Sequence, residues 1–148
     1  MKSREKRIIS GSYLELEYFP ITEHGHRHDN KRRLTKKEQQ NLNEKNAVKK
    51  LIRLINTNFV AGDILIHPTY RTDEMPNTEK EVIKDIQNYF RCIKAYRKKH
   101  GLPPVKYIYV VECKNGRWHW HGIMSAIDRD VAEKLWKRGD YTNADRFQ

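Results

Sequence analysis

Asn115 and Gly116 stand between two runs of β-type residues, Lys106 to Val111 on one side and Arg117 to Ser125 on the other. An Asn-Gly pair supplies the two positive-φ residues of a type I′ turn, whose twist matches that of two antiparallel strands, so a hairpin is expected. A two-residue turn also sets the register. Lys114 then faces Arg117, Cys113 faces Trp118, and Glu112 faces His119. Side chains alternate along a strand, so His121 projects from the same face as His119, with Cα atoms ~7 Å apart. Trp118 and Trp120 fall on the opposite face, where core packing is expected rather than base stacking.

Two imidazoles and a carboxylate therefore converge on one point. Glu112, His119 and His121 are suitable ligands for a borderline or hard divalent cation, and three ligands leave coordination positions open. A bare His-x-His pattern is short and common, and it also describes two histidines satisfied by hydrogen bonds in a well-paired hairpin. The carboxylate that the register sets opposite the first histidine favours the metal.

The rest of the chain supplies strands and helices around this hairpin. Ser12 to Phe19 carries Tyr13, Leu14, Leu16 and Tyr18, a short strand that Pro20 ends. The segment 21–34 is polar, with His24, His26 and His28 ahead of Lys31, Arg32 and Arg33, and reads as a flexible basic loop. Thr35 with Glu38 matches a capping box, and Ala47, Val48, Leu51, Ile52 and Ile55 recur at helical spacing, which predicts a helix from Lys36 to Asn56. Asp63 to His67 is an apolar run suited to a buried strand, stopped by Pro68 and followed by Thr69, Tyr70 and Arg71. A second capping box, Thr78 with Glu81, opens a helix that stops near Gly101, with Val82, Ile83, Ile86, Phe90, Ile93 and Tyr96 on one face. Arg91, Lys94, Arg97, Lys98 and Lys99 occupy its last turns, where the helix dipole favours cations. A last helix is expected over Asp128 to Lys137. The order of strand, helix, strand, helix, strand, strand, helix predicts an α+β fold with helices packed on a mainly antiparallel sheet.

The length, 148 residues, suits one compact domain, 1–148. Lys and Arg number 30 against 19 Asp and Glu, a formal charge of +11, which favours a polyanionic partner without saying which. Cys92 and Cys113 form neither a CxxC pair nor a disulfide framework and read as thiols of a reducing compartment. No apolar run approaches the ~20 residues of a membrane span, and the N-terminus lacks the apolar stretch of a signal peptide. A soluble, cytoplasmic protein is expected.

His119-Trp120-His121 resembles the His-hydrophobe-His motif of the HUH endonucleases, and Glu112 in Val110-Val111-Glu112 sits where many of their replication initiators place a third metal ligand. Asn58-Phe59, Gly62-Asp63 and Leu65 to Arg71 are similar to the first motif of a phage and plasmid branch, a strand ending in Leu-Thr-Tyr-Arg. Leu102 to Glu112 and the stretch from Trp136 through Gly139 to Asn143 also look like this branch. The likeness runs from about Ser10 onward, and its metal motif is the most specific part. It departs at His67-Pro68, where the branch usually has Thr-Leu.

The resemblance implies a ferredoxin-like core, magnesium or manganese on Glu112, His119 and His121, and nicking of single-stranded DNA in rolling-circle replication. A tyrosine attacks the phosphodiester, forming a 5′-phosphotyrosine and freeing a 3′-hydroxyl. Tyr70, Arg71, Lys114 and Arg117 are the expected nucleic-acid contacts. Relatives carry the tyrosine on a helix downstream of the segment resembling Tyr141 to Gln148, so the nucleophile is expected beyond this chain, with Tyr141 the lesser candidate. By itself the chain is then expected to bind metal and single-stranded DNA without nicking. Two alternatives stay open: a single-strand binding module that keeps the metal site but does not cleave, and a hydrolase using bound water, for which His67 is the one nominated base.

Overall fold

The computed structural model describes residues 3–21, 34–139 and 142–147. Of the expected basic loop, residues 22–33 lie outside the described residues, as does Tyr141. The chain divides into two compact units, Met1–Asn58 and Phe59–Gln148.

The first unit contains β1 (Ser3–Ser10), β2 (Tyr13–Pro20) and α1 (Lys36–Asn58). β1 and β2 pair antiparallel from Ser3 opposite Pro20 to Ser10 opposite Tyr13. Between them Gly11 has φ 60°, and a Cβ there would stand 2.0 Å from the carbonyl oxygen of Asn56. Glycine is thus required both by the backbone conformation and by the close approach of α1. The start of α1 is the reciprocal box read from the sequence: the Thr35 N–H donates to Glu38 Oε2 at 2.8 Å and the Glu38 N–H to Thr35 Oγ1 at 3.2 Å. No residue of α1 is buried. Lys49 Nζ donates to Glu17 Oε1 at 2.7 Å and Arg53 Nε to Glu15 Oε2 at 2.9 Å, so two cations of α1 are paired with carboxylates of β2.

The second unit contains β3 (Ile64–Pro68), a 3-10 turn (Thr72–Glu74), α2 (Glu79–Lys99), β4 (Tyr107–Lys114), β5 (Arg117–Met124), α3 (Arg129–Lys134) and β6 (Thr142–Arg146). Its order, β-α-β-β-α-β, is the ferredoxin-like one. The four strands form one antiparallel sheet in the order β4-β5-β3-β6. The α+β class expected from the sequence is the class observed.

One face of that sheet carries the core. Trp120, Met124, Ile64 and Ile66 from the strands meet Val82, Ile86, Phe90 and Ile93 from α2, and all are essentially inaccessible. Their spacing explains both elements: Ile64, Ile66 and Pro68 alternate on β3, while the α2 residues recur at three- and four-residue steps. Phe90 stacks on Tyr107 with centroids 3.7 Å apart. Thr78 caps α2 by accepting from the Glu81 N–H at 3.3 Å.

Arg97 corrects a sequence reading. Counted among the cations at the end of α2, it is 5% exposed and donates to the carbonyls of Pro103 at 2.6 Å and Ala126 at 2.7 Å. It ties the segment after α2 to the segment after β5. Asp63 acts similarly at the start of β3, accepting from the N–H groups of Val60 at 2.9 Å and Ala126 at 2.8 Å.

Candidate metal centre

β4 and β5 meet in the register that the turn dictates. Asn115 has φ 52° and Gly116 φ 73°, and Glu112 pairs with His119, Cys113 with Trp118 and Lys114 with Arg117. Trp120 is fully buried and the half-buried Trp118 packs against the core, so the alternation sends His119 and His121 to the other face together with Glu112. The same pleat that anchors the strand by its tryptophans presents its histidines to solvent.

His119 Nε2 lies 3.0 Å from Glu112 Oε2, and His121 Nε2 lies 3.7 Å from the same oxygen. One ligand atom from each of the three residues falls within 4.8 Å of the others. With metal–ligand bonds of about 2.0–2.2 Å, neighbouring donors of an octahedral or tetrahedral site stand roughly 3.0–3.5 Å apart, so these separations suit a shared cation. The imidazole rings lie 5.2 Å apart at 89° and approach from two directions. The side chains of Glu112, His119 and His121 are 54%, 29% and 42% exposed, which leaves the point of convergence open to a ligand from solvent.

Burial holds the His121 imidazole below its ordinary pKa, with His67 and His119 acting in the same sense and Glu112 opposing them. A metal needs the neutral imidazole, so this environment favours the ligating form. Two nitrogens and one carboxylate oxygen form a donor set for a borderline or hard divalent cation rather than for a soft ion that prefers thiolates.

The other expected site residues divide. Lys114 and Arg117 face each other on the last rung of the hairpin, exposed, and strand alternation sets them on the face of Glu112 and His119. Tyr70 is corrected: it is 4% exposed and packs edge-on against Trp136, with ring centroids 5.2 Å apart, so it belongs to the core and not to a surface that DNA could touch. The residues after Pro68 turn inward, and the Trp136 indole donates to the Thr69 carbonyl at 2.7 Å. Burial raises the Tyr70 phenol well above its ordinary pKa. Arg71 is half-buried, and its Nη2 donates to Glu74 Oε1 at 2.6 Å within the 3-10 turn.

His67, nominated from the sequence only as a base, is brought to the trio by the pairing of β3 with β5. Its Nδ1 lies 2.5 Å from that of His121. Alternation with the apolar positions of β3 was the available signal for its face, but nothing local in the sequence shows which strand lies beside it.

No helix among the described residues is long and apolar enough to cross a membrane. No curated protein and no solved structure matches the chain. A family model, that of the ORF2-type replication-associated proteins, matches residues 63–146. That span covers more than half of the chain and contains His67, Glu112, His119 and His121. The chain therefore belongs to the ORF2-type family of replication-associated proteins.

Proposed function

We propose that the second unit is the metal-dependent nicking and joining domain of a rolling-circle replication initiator acting on single-stranded DNA, with a magnesium or manganese ion held by Glu112, His119 and His121. The observation that carries this reading is the convergence of these three side chains on an exposed sheet face, in a member of a replication-associated family. Lys114 and Arg117 neighbour the trio and supply positive charge for backbone phosphates. A divalent cation bound there supplies charge against that developing on a phosphodiester under attack. Glu112 and His119 orient each other by their 3.0 Å contact, and the buried Trp120 between the two histidines holds them in place. In this reading a tyrosine hydroxyl bonds to phosphorus, the 3′-oxygen leaves, and the phosphotyrosine keeps the bond energy for rejoining.

One observation favours a second reading, a single-strand binding module that keeps the metal site and does not cleave. Among the described tyrosines of this unit, Tyr70 and Tyr89 are buried, Tyr107 and Tyr109 pack on the core, and the half-buried Tyr96 lies against His100 on α2 with ring centroids 4.2 Å apart. Tyr141, outside the described residues, is the remaining candidate on the C-terminal side of the hairpin.

A labelled single-stranded oligonucleotide incubated with the protein and manganese separates the two readings on a denaturing gel. Cleavage with an SDS-resistant protein–DNA adduct, both lost in His121→Ala, supports nicking; loss in Tyr141→Phe assigns the nucleophile. Manganese-dependent binding without cleavage supports the binding module. Calorimetry in which wild type and His121→Ala bind manganese equally would sink the metal assignment itself.

A further inference from the structure

β3 lays a fourth imidazole against the trio. Ile64, Leu65 and Ile66 pair with Met124, Ile123 and Gly122 of β5, and one further step of that register sets His67 opposite His121. Ile64, Ile66 and Pro68 are buried, so alternation sends His67 to the face that carries the site. The His67 and His121 rings lie 4.7 Å apart at 70°, edge to face, with their Nδ1 atoms 2.5 Å apart.

Two neutral imidazoles share such a contact in one way at a time: one Nδ1 carries the proton and the other offers its lone pair. The remaining nitrogen of His121, Nε2, is the one that faces Glu112 Oε2, at 3.7 Å. As a metal ligand that nitrogen must be unprotonated, and a neutral imidazole carries a single N–H. If Nε2 is the ligand atom, the proton of His121 sits on Nδ1 and His67 is its acceptor.

We infer that His67 is a positioning residue of the metal centre: its Nδ1 accepts the Nδ1–H of His121 and so selects the tautomer whose Nε2 lone pair points toward Glu112 and His119. This rests on the reading of the trio as a metal site. Histidines that bind metals commonly give their second N–H to a carboxylate, a backbone carbonyl or water, which fixes the ring and its tautomer. Here an imidazole from the neighbouring strand has that task. The device couples the first strand of the unit to the hairpin, since the acceptor is in reach only when β3 pairs with β5.

Two measurements test this, manganese affinity by calorimetry and the His121 tautomer in the metal-free protein by long-range nitrogen–proton NMR. The wild type is expected to show His121 protonated at Nδ1 and to bind manganese. His67→Phe and His67→Val, which offer no acceptor, are expected to shift His121 toward the Nε2–H tautomer and to weaken manganese binding about 10–100-fold. His67→Asn, whose Oδ1 can accept near the same place, is expected to retain the tautomer and most of the affinity. Wild-type affinity and tautomer in both Phe and Val variants overturn the positioning role while leaving the metal site standing, and so does an Asn variant as weak as the Phe variant. A wild type that does not bind manganese overturns both readings.

Discussion

A Cβ on Gly122 would stand 3.0 Å from Cζ3 of Trp120, its neighbour two residues back on the same face of β5. The same atom would lie 3.2 Å from the Ile108 carbonyl oxygen and 3.4 Å from Cγ2 of Ile66. The large indole fills the space that a side chain at 122 would need, and glycine stands there in the strand that lies between β4 and β3. Gly122→Ala is expected to destabilise the protein by about 1–3 kcal/mol, the usual cost of overpacking a dense core. Urea denaturation checks it, and a wild-type midpoint would mean that Trp120 has room to move.

Trp120 and Trp136 make a matched pair for a second prediction. Their rings lie 5.5 Å apart in the same cluster, at 0% and 4% exposure. The Trp136 indole donates to the Thr69 carbonyl at 2.7 Å, whereas the buried Nε1 of Trp120 has no hydrogen-bond partner among the described residues. Replacement by Phe shrinks both rings alike but removes a hydrogen bond only at Trp136. Trp136→Phe is therefore expected to cost about 1 kcal/mol more than Trp120→Phe. Equal losses in denaturant would refute the difference.

What could be read from the sequence and what could not follows the range of the interactions. The Asn115-Gly116 turn is local, and it fixes the pairing of Glu112 with His119 without knowledge of anything else. The capping residues Thr35 and Thr78 are local in the same way. β1 escaped because Arg4, Glu5, Lys6 and Arg7 offer no apolar alternation; the strand exists through its pairing with β2. β6 escaped as a strand because its place beside β3 is a property of the whole sheet. Arg97 and Tyr70 were misplaced for one reason: an amphipathic side chain is assigned to the surface by its polar end until the fold shows a carbonyl or a ring waiting inside.

Acid should act on the first unit through Glu15 and Glu17. A hydrogen bond from Arg53 holds the Glu15 carboxyl below its ordinary value of 4.5, and one from Lys49 does the same for Glu17. A carboxyl whose folded pKa is depressed contributes stability above its unfolded pKa and loses it as the pH falls through the folded value. The contacts between α1 and β2 are thus expected to be intact above about pH 4.5 and to weaken below it. Amide exchange along α1, corrected for the intrinsic pH dependence, should show reduced protection at about pH 3.5, and less of that change in a Glu15→Gln, Glu17→Gln variant. Acid-independent protection in the wild type would show that these pairs do not hold the helix.

The hairpin tip gives the last prediction. If backbone phosphates of a single strand pass beside the metal trio, Lys114 and Arg117 meet them, because they share the face of Glu112 and His119 and are exposed at the end of the sheet. Each phosphate neutralised releases condensed counterions, so the logarithm of affinity falls with the logarithm of salt by about 0.7 per contact on a single strand. Lys114→Ala and Arg117→Ala should each lower the slope by about that amount and weaken binding most at low salt. Tyr70→Phe is the internal control: a buried phenol makes no contact with DNA, so its affinity and slope should equal those of the wild type. Fluorescence anisotropy over a salt series with a labelled single strand, and with its duplex, provides both quantities. A tip double variant with the wild-type slope, or a preference for the duplex, would place the DNA on another surface.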